Sequence, residues 1–219
     1  MWIADFKVWH EGSTSIELSK EYDAWLLNVN LNLFGENGKL YVARCASFYG
    51  NEAEQYRKAF MQKDKRVVII GSDANQVFYY HEADEAFHTL LFDKSLFFVG
   101  GNVTRDGFQY WTVASLRKEP LLELFKRVEK LGAKTATIKL LSLHEGSVNV
   151  FSHAVLSELT SLQLRALQLA HKHGYFEYPR KISLEQLAKL THIPRTTLQS
   201  HLRRAERTLV PALLGQIKK

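Results

Sequence analysis

The stretch RTTLQSHLRRAER, residues 195–207, combines side chains that suit hydrogen bonding to the edges of nucleic-acid bases. Arginine donates two hydrogen bonds to guanine, glutamine bonds adenine, and threonine offers a methyl group to thymine or a hydroxyl to phosphate. If the stretch is helical, its polar side chains share the face opposite its leucines and predict a surface that reads DNA. The predicted contacts are Arg195, Thr196, Thr197, Gln199, Ser200, Arg203 and Arg204, with Arg180 and Lys181 in the preceding loop.

A solvated surface helix is the alternative for such a face, and it usually carries opposite charges four residues apart. Arg195 has no acidic residue within reach along the helix, and Glu206 is the only acid among Arg203, Arg204 and Arg207. The pattern therefore favours side chains whose partner lies on another molecule.

Two amphipathic helices separated by the turn THIP would position this face. Ser183 caps the first helix with Gln186 three residues later, and Pro194 opens the second helix, whose continuation Pro211 is expected to limit. An earlier helix over 159–174 has Thr160 as its cap and Gly174 as its stop. This is the pattern of a helix-turn-helix, in which the second helix enters the major groove. The apolar stripes are Leu184, Leu187, Ala188 and Leu190 in the first helix and Leu198, Leu202, Ala205 and Leu209 in the second, with Ile193 between them.

Charge is divided unevenly along the 219 residues. Residues 1–151 carry 18 Lys and Arg against 19 Asp and Glu, a formal charge of −1, whereas residues 152–219 carry 11 against 4, a formal charge of +7. Basic residues that neutralise phosphates release counterions, so a basic excess confined to one module indicates a polyanionic partner. The predicted partner is double-stranded DNA.

The strings LTSLQLRALQLAHKHGYFEYPR and SLEQLAKLTHIPRTTLQSHLRRAER resemble the helix-turn-helix domain of the bacterio-opsin-activator-like family of archaeal transcriptional regulators. The resemblance covers about residues 158–212, and it implies a sequence-specific DNA-binding regulator with an N-terminal sensing or assembly domain. The chain departs from the family pattern at His192, where the turn usually has Gly, and at Pro194, where a Ser-type cap is usual. Histidine tolerates a positive φ better than most residues do, so we expect the turn to persist.

The N-terminal region shows the element order βαββαβ twice, which predicts a tandem α+β domain of the ferredoxin-like or ACT-like kind. A single irregular α+β domain is the alternative. The predicted organisation is an α+β domain over 1–145, a linker over 146–157 and an all-α helix-turn-helix domain over 158–219. The strands are expected at 2–10, 24–34, 39–48, 66–72, 76–82, 95–103, 107–115 and 134–143, and the helices at 13–22, 51–62, 83–92 and 120–132. The turn GENG is expected to join strands 24–34 and 39–48 into a hairpin, and TRDG is expected to join strands 95–103 and 107–115.

Other residues that could support chemistry have simpler interpretations. Neither HKH at 171–173 nor His81 with Glu82, Asp84 and His88 has the spacing of a zinc site, so no metal is predicted. Cys45 lies in a predicted strand and is expected to be a small buried side chain. GGN at 100–102 precedes a hairpin and predicts a bulge or a close backbone approach. Because no nucleophile–base pair is present, neither an enzyme nor a cofactor is predicted.

The partners of the N-terminal region remain open between two interpretations. Its aromatic residues could line a small-molecule effector site between the two βαββαβ copies, or they could serve dimerisation alone. The predicted function is a cytoplasmic, homodimeric, DNA-binding transcriptional regulator without a membrane segment. The alternatives are a protein-interaction module and a nucleic-acid-binding protein that uses charge without sequence preference.

Overall fold

A computed structural model describes residues 1–73, 75–83, 93–148 and 159–215. The chain forms two compact units, Met1–Val150 and Phe151–Lys219. Most of the predicted helix 83–92 and of the predicted linker 146–157 lies outside the described residues. The strands of the first unit are β1 (Trp2–His10), β2 (Ala24–Glu36), β3 (Lys39–Gly50), β4 (Val67–Ser72), β5 (Gln76–Glu82), β6 (Phe97–Phe98), β7 (Asn102–Arg105), β8 (Phe108–Ser115) and β9 (Ala136–Glu145), and its helices are α1 (Thr14–Leu18), α2 (Ala53–Lys63) and α3 (Glu119–Lys130).

All nine of these strands join one antiparallel sheet in the order β4-β5-β3-β2-β7-β8-β1-β9, with β6 paired to β8. Two self-contained βαββαβ copies would each pair their own strands, and the observed pairing differs from that arrangement. β1 leaves the first copy to pair with β8 and β9, while β5 leaves the second copy to pair with β3 and β4. The two halves have exchanged their first strands, and β2 and β7 join them into a single sheet.

Both predicted hairpins are present, and each turns through two residues with positive φ. Asn37 and Gly38 connect β2 to β3 with φ of 50° and 75°, and Asp106 and Gly107 connect β7 to β8 with φ of 53° and 77°. Such turns match the twist of paired strands. The close backbone approach predicted at 100–102 is also confirmed, because a Cβ on Gly101 would lie 2.8 Å from the carbonyl oxygen of Asn28. The predicted strand 95–103 is divided there into β6 and β7.

Two apolar clusters lie on the face of the sheet that the helices cover. The first cluster joins β1 and β8 to α3 through Phe6, Trp111, Val113, Leu121 and Leu124. The second cluster joins β2, β3 and β5 to α1 and α2 through Leu18, Leu26, Phe48, Tyr56 and Tyr79. Cys45 on β3 is buried, as predicted, and burial raises the pKa of its thiol.

The second unit contains α4 (Ser161–Lys172), α5 (Leu184–Thr191) and α6 (Arg195–Gly215). Ser183 forms the predicted capping box with Gln186, and Thr160, the predicted cap of α4, forms a further capping box with Gln163. Because each cap satisfies backbone N–H groups in the first turn, these helices begin where their sequences indicate. Their shared core includes Ala166, Ala170, Leu187, Ala188, Leu198 and Leu202.

Two predictions for this unit are wrong. Pro211 does not end the last helix, which continues to Gly215. Pro211 is exposed, so the carbonyl that loses its N–H donor can be solvated and the helix tolerates the missing bond. Leu190 belongs to the predicted apolar stripe, yet it is 54% exposed.

Candidate nucleic-acid interface

The turn between α5 and α6 sets the direction of α6 relative to α5. His192 has φ 54° and ψ 28°, so the prediction that histidine occupies the left-handed position is confirmed. The N–H of Ile193 donates to the carbonyl of Ala188 at 3.2 Å, and the N–H of His192 donates to that of Lys189 at 3.4 Å. This pair of hydrogen bonds is the motif that commonly closes the C-terminus of a helix around a left-handed glycine. The turn therefore keeps its geometry without the glycine.

One side of α6 packs into the core of the unit. Leu198 and Ala205 are fully buried and Leu202 is 3% exposed, whereas Thr196, Arg203 and Arg207 are exposed and Ser200 is half-buried. At about 100° of rotation per residue, these four polar residues lie opposite the three buried ones. We call Thr196, Ser200, Arg203 and Arg207 the outer face of α6. The remaining predicted contacts lie at its margins, with Thr197 and Arg204 exposed and Gln199 half-buried.

Arg195 is not free of acidic neighbours, contrary to the expectation from the sequence. Its Nε lies 2.6 Å from Oε1 of Glu185 in α5, and both side chains are 55% exposed. A hydrogen bond from the backbone of Glu185 itself, followed by the charge of Arg195, lowers the pKa of that carboxyl group. Glu185 precedes Arg195 by ten residues and lies on another helix, so no spacing rule within α6 could have identified it.

Four predicted contacts border one open groove beside α6. Arg195 and Gln199 line one side of the groove, and Arg180 and Lys181 from the preceding loop line another. The two loop residues also have partners within the unit: Lys181 Nζ lies 2.7 Å from Glu177 Oε2, and the guanidinium of Arg180 lies 4.5 Å from the centre of the Tyr175 ring. The fold thus brings residues that are 14 to 19 positions apart into one polar surface.

Arg203, Arg204 and Arg207 form the most electropositive part of α6. All three are exposed, and none has an ion-pair partner in the described part of the chain. Guanidinium groups that keep their hydrogen-bond donors available suit phosphate oxygens and base edges. The structure therefore leaves charge exposed where the sequence predicted contact with DNA.

The described ranges offer no group of three or more His, Cys, Asp or Glu that could hold a metal ion. Asp84 and His88, which the sequence places near His81, lie outside those ranges. No helix in the described part of the chain has the length and apolarity that crossing a membrane requires.

Comparison with known proteins identifies the second unit. Residues 159–211 match the family model described as HTH DNA binding domain, so this segment is a helix-turn-helix DNA-binding domain and the resemblance found in the sequence is confirmed. The match covers all of α4 and α5 and α6 as far as Pro211, including the outer face.

Haloarchaeal proteins named as regulators are similar to the chain over part of its length. The bacterioopsin transcriptional activator of Halobacterium salinarum is 39% identical over 87 residues, which cover 38% of this chain and 13% of that protein. A putative transcriptional regulator of Haloferax volcanii is 37% identical over 71 residues, which cover 32% of this chain and 12% of that protein. The transcriptional regulator NarO of Haloferax volcanii is 39% identical over 57 residues, covering 26% of this chain and 27% of that protein.

Proposed function

We propose that the chain is a sequence-specific transcriptional regulator that reads the major groove of DNA with α6. The observation that carries the proposal is the orientation of α6 within a helix-turn-helix DNA-binding domain: Leu198, Leu202 and Ala205 are buried, and the outer face points away from the core. In this class of domain, the first turns of the second helix reach base edges. The names of the relatives support regulation of transcription as the purpose of that binding.

Roles along α6 follow from distance to its N-terminus. Arg195, Thr196, Thr197, Gln199 and Ser200 occupy the first two turns and would contact bases, with Arg203 at the limit of that reach. Arg204 and Arg207 lie further along, where the helix leaves the base edges and meets phosphates. Arg180 and Lys181 would bind backbone phosphate beside the groove that they share with Arg195. Phosphate contacts supply salt-dependent affinity, and base contacts supply preference between sequences.

The proposed complex contains two copies of the chain on an inverted repeat. One small reader contacts few base pairs, whereas a two-fold dimer doubles the site, with half-sites about 10 bp (~34 Å), or a multiple of that distance, apart. The aromatic sheet of the first unit is the proposed dimerisation region, and the same unit is the proposed site of control by a small molecule. Sedimentation of the full chain, alone and on a selected duplex, should show a dimer; a monomer in both states would contradict this part of the proposal.

Selection of bound duplexes from a random pool tests sequence reading directly. The full-length protein should enrich one motif, and the Thr196→Ala/Ser200→Ala double variant should enrich it less or enrich a different one. Lys126→Ala is a suitable control because Lys126 is exposed on α3 in the first unit. Binding without enrichment would identify a charge-driven nucleic-acid-binding protein, and absence of DNA binding would favour the interaction-module alternative.

A further inference from the structure

The loop between α4 and α5 presents a tyrosine that the rest of the domain does not cover. Tyr178 is completely exposed, with a relative exposure of 102%, and its hydroxyl has no hydrogen-bond partner among the described residues. Phe176, two residues earlier, is 48% exposed, and its ring centre lies 5.3 Å from that of Tyr175. A single exposed apolar side chain is ordinary on a protein surface, so the role of Tyr178 has to follow from its setting.

The loop holds Tyr178 in a defined place. The carbonyl of Gly174 accepts a hydrogen bond from the N–H of Lys181 at 3.1 Å, which closes the loop. Gly174 has φ 75°, and a Cβ on it would lie 2.8 Å from the Cβ of Lys181, so this closure requires glycine. Tyr175 packs against the core of the unit, and the guanidinium of Arg180 lies over its ring. Because both ends of the loop are fixed, a partner that binds Tyr178 has to order only one side chain.

The same loop borders the surface expected to face DNA. Arg180 and Lys181, two and three residues after Tyr178, line one groove with Arg195 and Gln199 of α6. In three-helix variants of the helix-turn-helix, the third helix reads the major groove, and the loop between the first two helices contacts the DNA backbone. Here α6 is the third helix, and the loop that carries Tyr178 joins the first two. The position of Tyr178 therefore corresponds to a backbone contact rather than to a base contact.

We propose that the Tyr178 hydroxyl donates a hydrogen bond to a backbone phosphate of double-stranded DNA beside the base pairs that α6 contacts. A phenol is a neutral donor, and tyrosine is among the side chains that bind phosphate oxygens and fix the register of a protein on DNA. Unlike arginine or lysine, it binds a phosphate without replacing a counterion. The inference rests on the proposed DNA-binding function and adds an uncharged contact to it.

Tyr178→Phe tests the contact in the full-length protein, because it removes only the hydroxyl from an exposed side chain. The selected duplex should be bound about three- to tenfold more weakly, while the dependence of affinity on salt keeps its slope. Arg207→Ala is the charged comparison, since it should reduce that slope by about one unit. Tyr110→Phe removes a hydroxyl from the first unit and should leave DNA affinity unchanged. Unchanged affinity for both Tyr178→Phe and Tyr178→Ala would overturn the proposal and point to a protein partner for Tyr178, and an altered salt slope in Tyr178→Phe would contradict a neutral contact.

Methylphosphonate substitution in the DNA locates the contacted phosphate. Duplexes in which one phosphate at a time is replaced by a neutral methylphosphonate are titrated with the unsubstituted protein and with Tyr178→Phe. At the contacted phosphate, the replacement should weaken binding of the unsubstituted protein more than binding of Tyr178→Phe, because two changes that remove the same interaction are not additive. That phosphate should lie at the flank of the selected motif. Equal losses for the two proteins at every phosphate would contradict a direct contact.

Sequence preference, measured on the same preparations, separates this inference from the proposed function. If the full chain enriches a motif and the two Tyr178 variants bind it with unchanged affinity, only the Tyr178 contact is wrong. If Tyr178→Phe weakens binding to all duplexes alike and no motif is enriched, the contact is upheld and sequence-specific regulation is contradicted. A protein that binds no DNA would contradict both.

Discussion

Arg195 and Glu185 form an ion pair across the turn of the helix-turn-helix, with Arg195 Nε 2.6 Å from Glu185 Oε1. The first arginine of α6 is therefore held against α5 in the free protein. Both side chains are more than half exposed, so water and salt screen the pair and it holds Arg195 only weakly. Glu185 thus competes with DNA for Arg195 without preventing its transfer to a base or a phosphate.

We expect Glu185→Gln to raise the affinity of the full-length protein for DNA by up to about fivefold, because it removes the competing charge. The effect should be largest at low salt, where surface charges are least screened. Binding isotherms at two or more salt concentrations measure it. In the Arg195→Ala background, Glu185→Gln should have a smaller effect; equal effects in both backgrounds would show that the ion pair does not restrain binding.

Position along α6 should separate two kinds of variant. Gln199→Ala and Arg195→Ala should each cost about 1–3 kcal/mol on the preferred duplex and little on random DNA, since each would remove a base contact. Arg207→Ala should weaken binding to all sequences alike and reduce the salt slope by about one unit. Competition between selected and random duplexes makes the comparison. Equal losses on both duplexes for Gln199→Ala and Arg195→Ala would make this part of α6 an electrostatic anchor.

Leu198→Ala should destabilise the helix-turn-helix by about 2–5 kcal/mol, because it opens a cavity at a fully buried position. Leu190→Ala removes the same atoms from a side chain that is 54% exposed, and its effect should stay within about 0.5 kcal/mol. Urea unfolding of the full chain, monitored by the circular-dichroism signal of its helices, provides the measurement. Similar losses for the two variants would contradict the packing of α6.

The exchanged strands predict how the first unit responds to division. Fragments 1–73 and 74–150 should each fail to unfold cooperatively alone, because β1 finds its partners in the second fragment and β5 finds its partners in the first. Mixed in equal amounts, they should recover the sheet signal in far-ultraviolet circular dichroism. Independent folding of either fragment would instead indicate two self-contained βαββαβ copies.

His81 makes the stability of the first unit dependent on pH. Its pKa is lowered from 6.5 to about 4 by burial and by Arg44, so the unfolded chain takes up this proton at a higher pH than the folded chain does. The free energy of unfolding should be highest above pH 6.5 and should decrease as the pH falls toward 4. At pH 5 it should be lower by roughly 1–2 kcal/mol. His81→Gln should remove that part of the slope. Melting temperatures of the unsubstituted protein and of His81→Gln, measured between pH 7 and pH 4.5, test this. If both decrease by the same amount, His81 is not the source of the pH dependence.

The sequence by itself determined the features that depend on neighbouring residues. Thr160 and Ser183 predicted where two helices begin, and Asn37-Gly38 and Asp106-Gly107 predicted two hairpins, because caps and tight turns are closed by hydrogen bonds and dihedral angles within a few residues. The outer face of α6 could also largely be predicted from the sequence, because helical periodicity relates each polar position to the buried leucines.

The tertiary structure alone decided the features that depend on distant partners. Alternating apolar residues make β1 a strand but do not specify whether it pairs with its own hairpin or with β8 and β9. Ten residues and a turn separate Glu185 from Arg195, so no pattern within one helix indicates that the two side chains form an ion pair. The spacing of apolar residues along one helix or strand indicates which face is buried. The contacts of that face depend on how the whole chain packs.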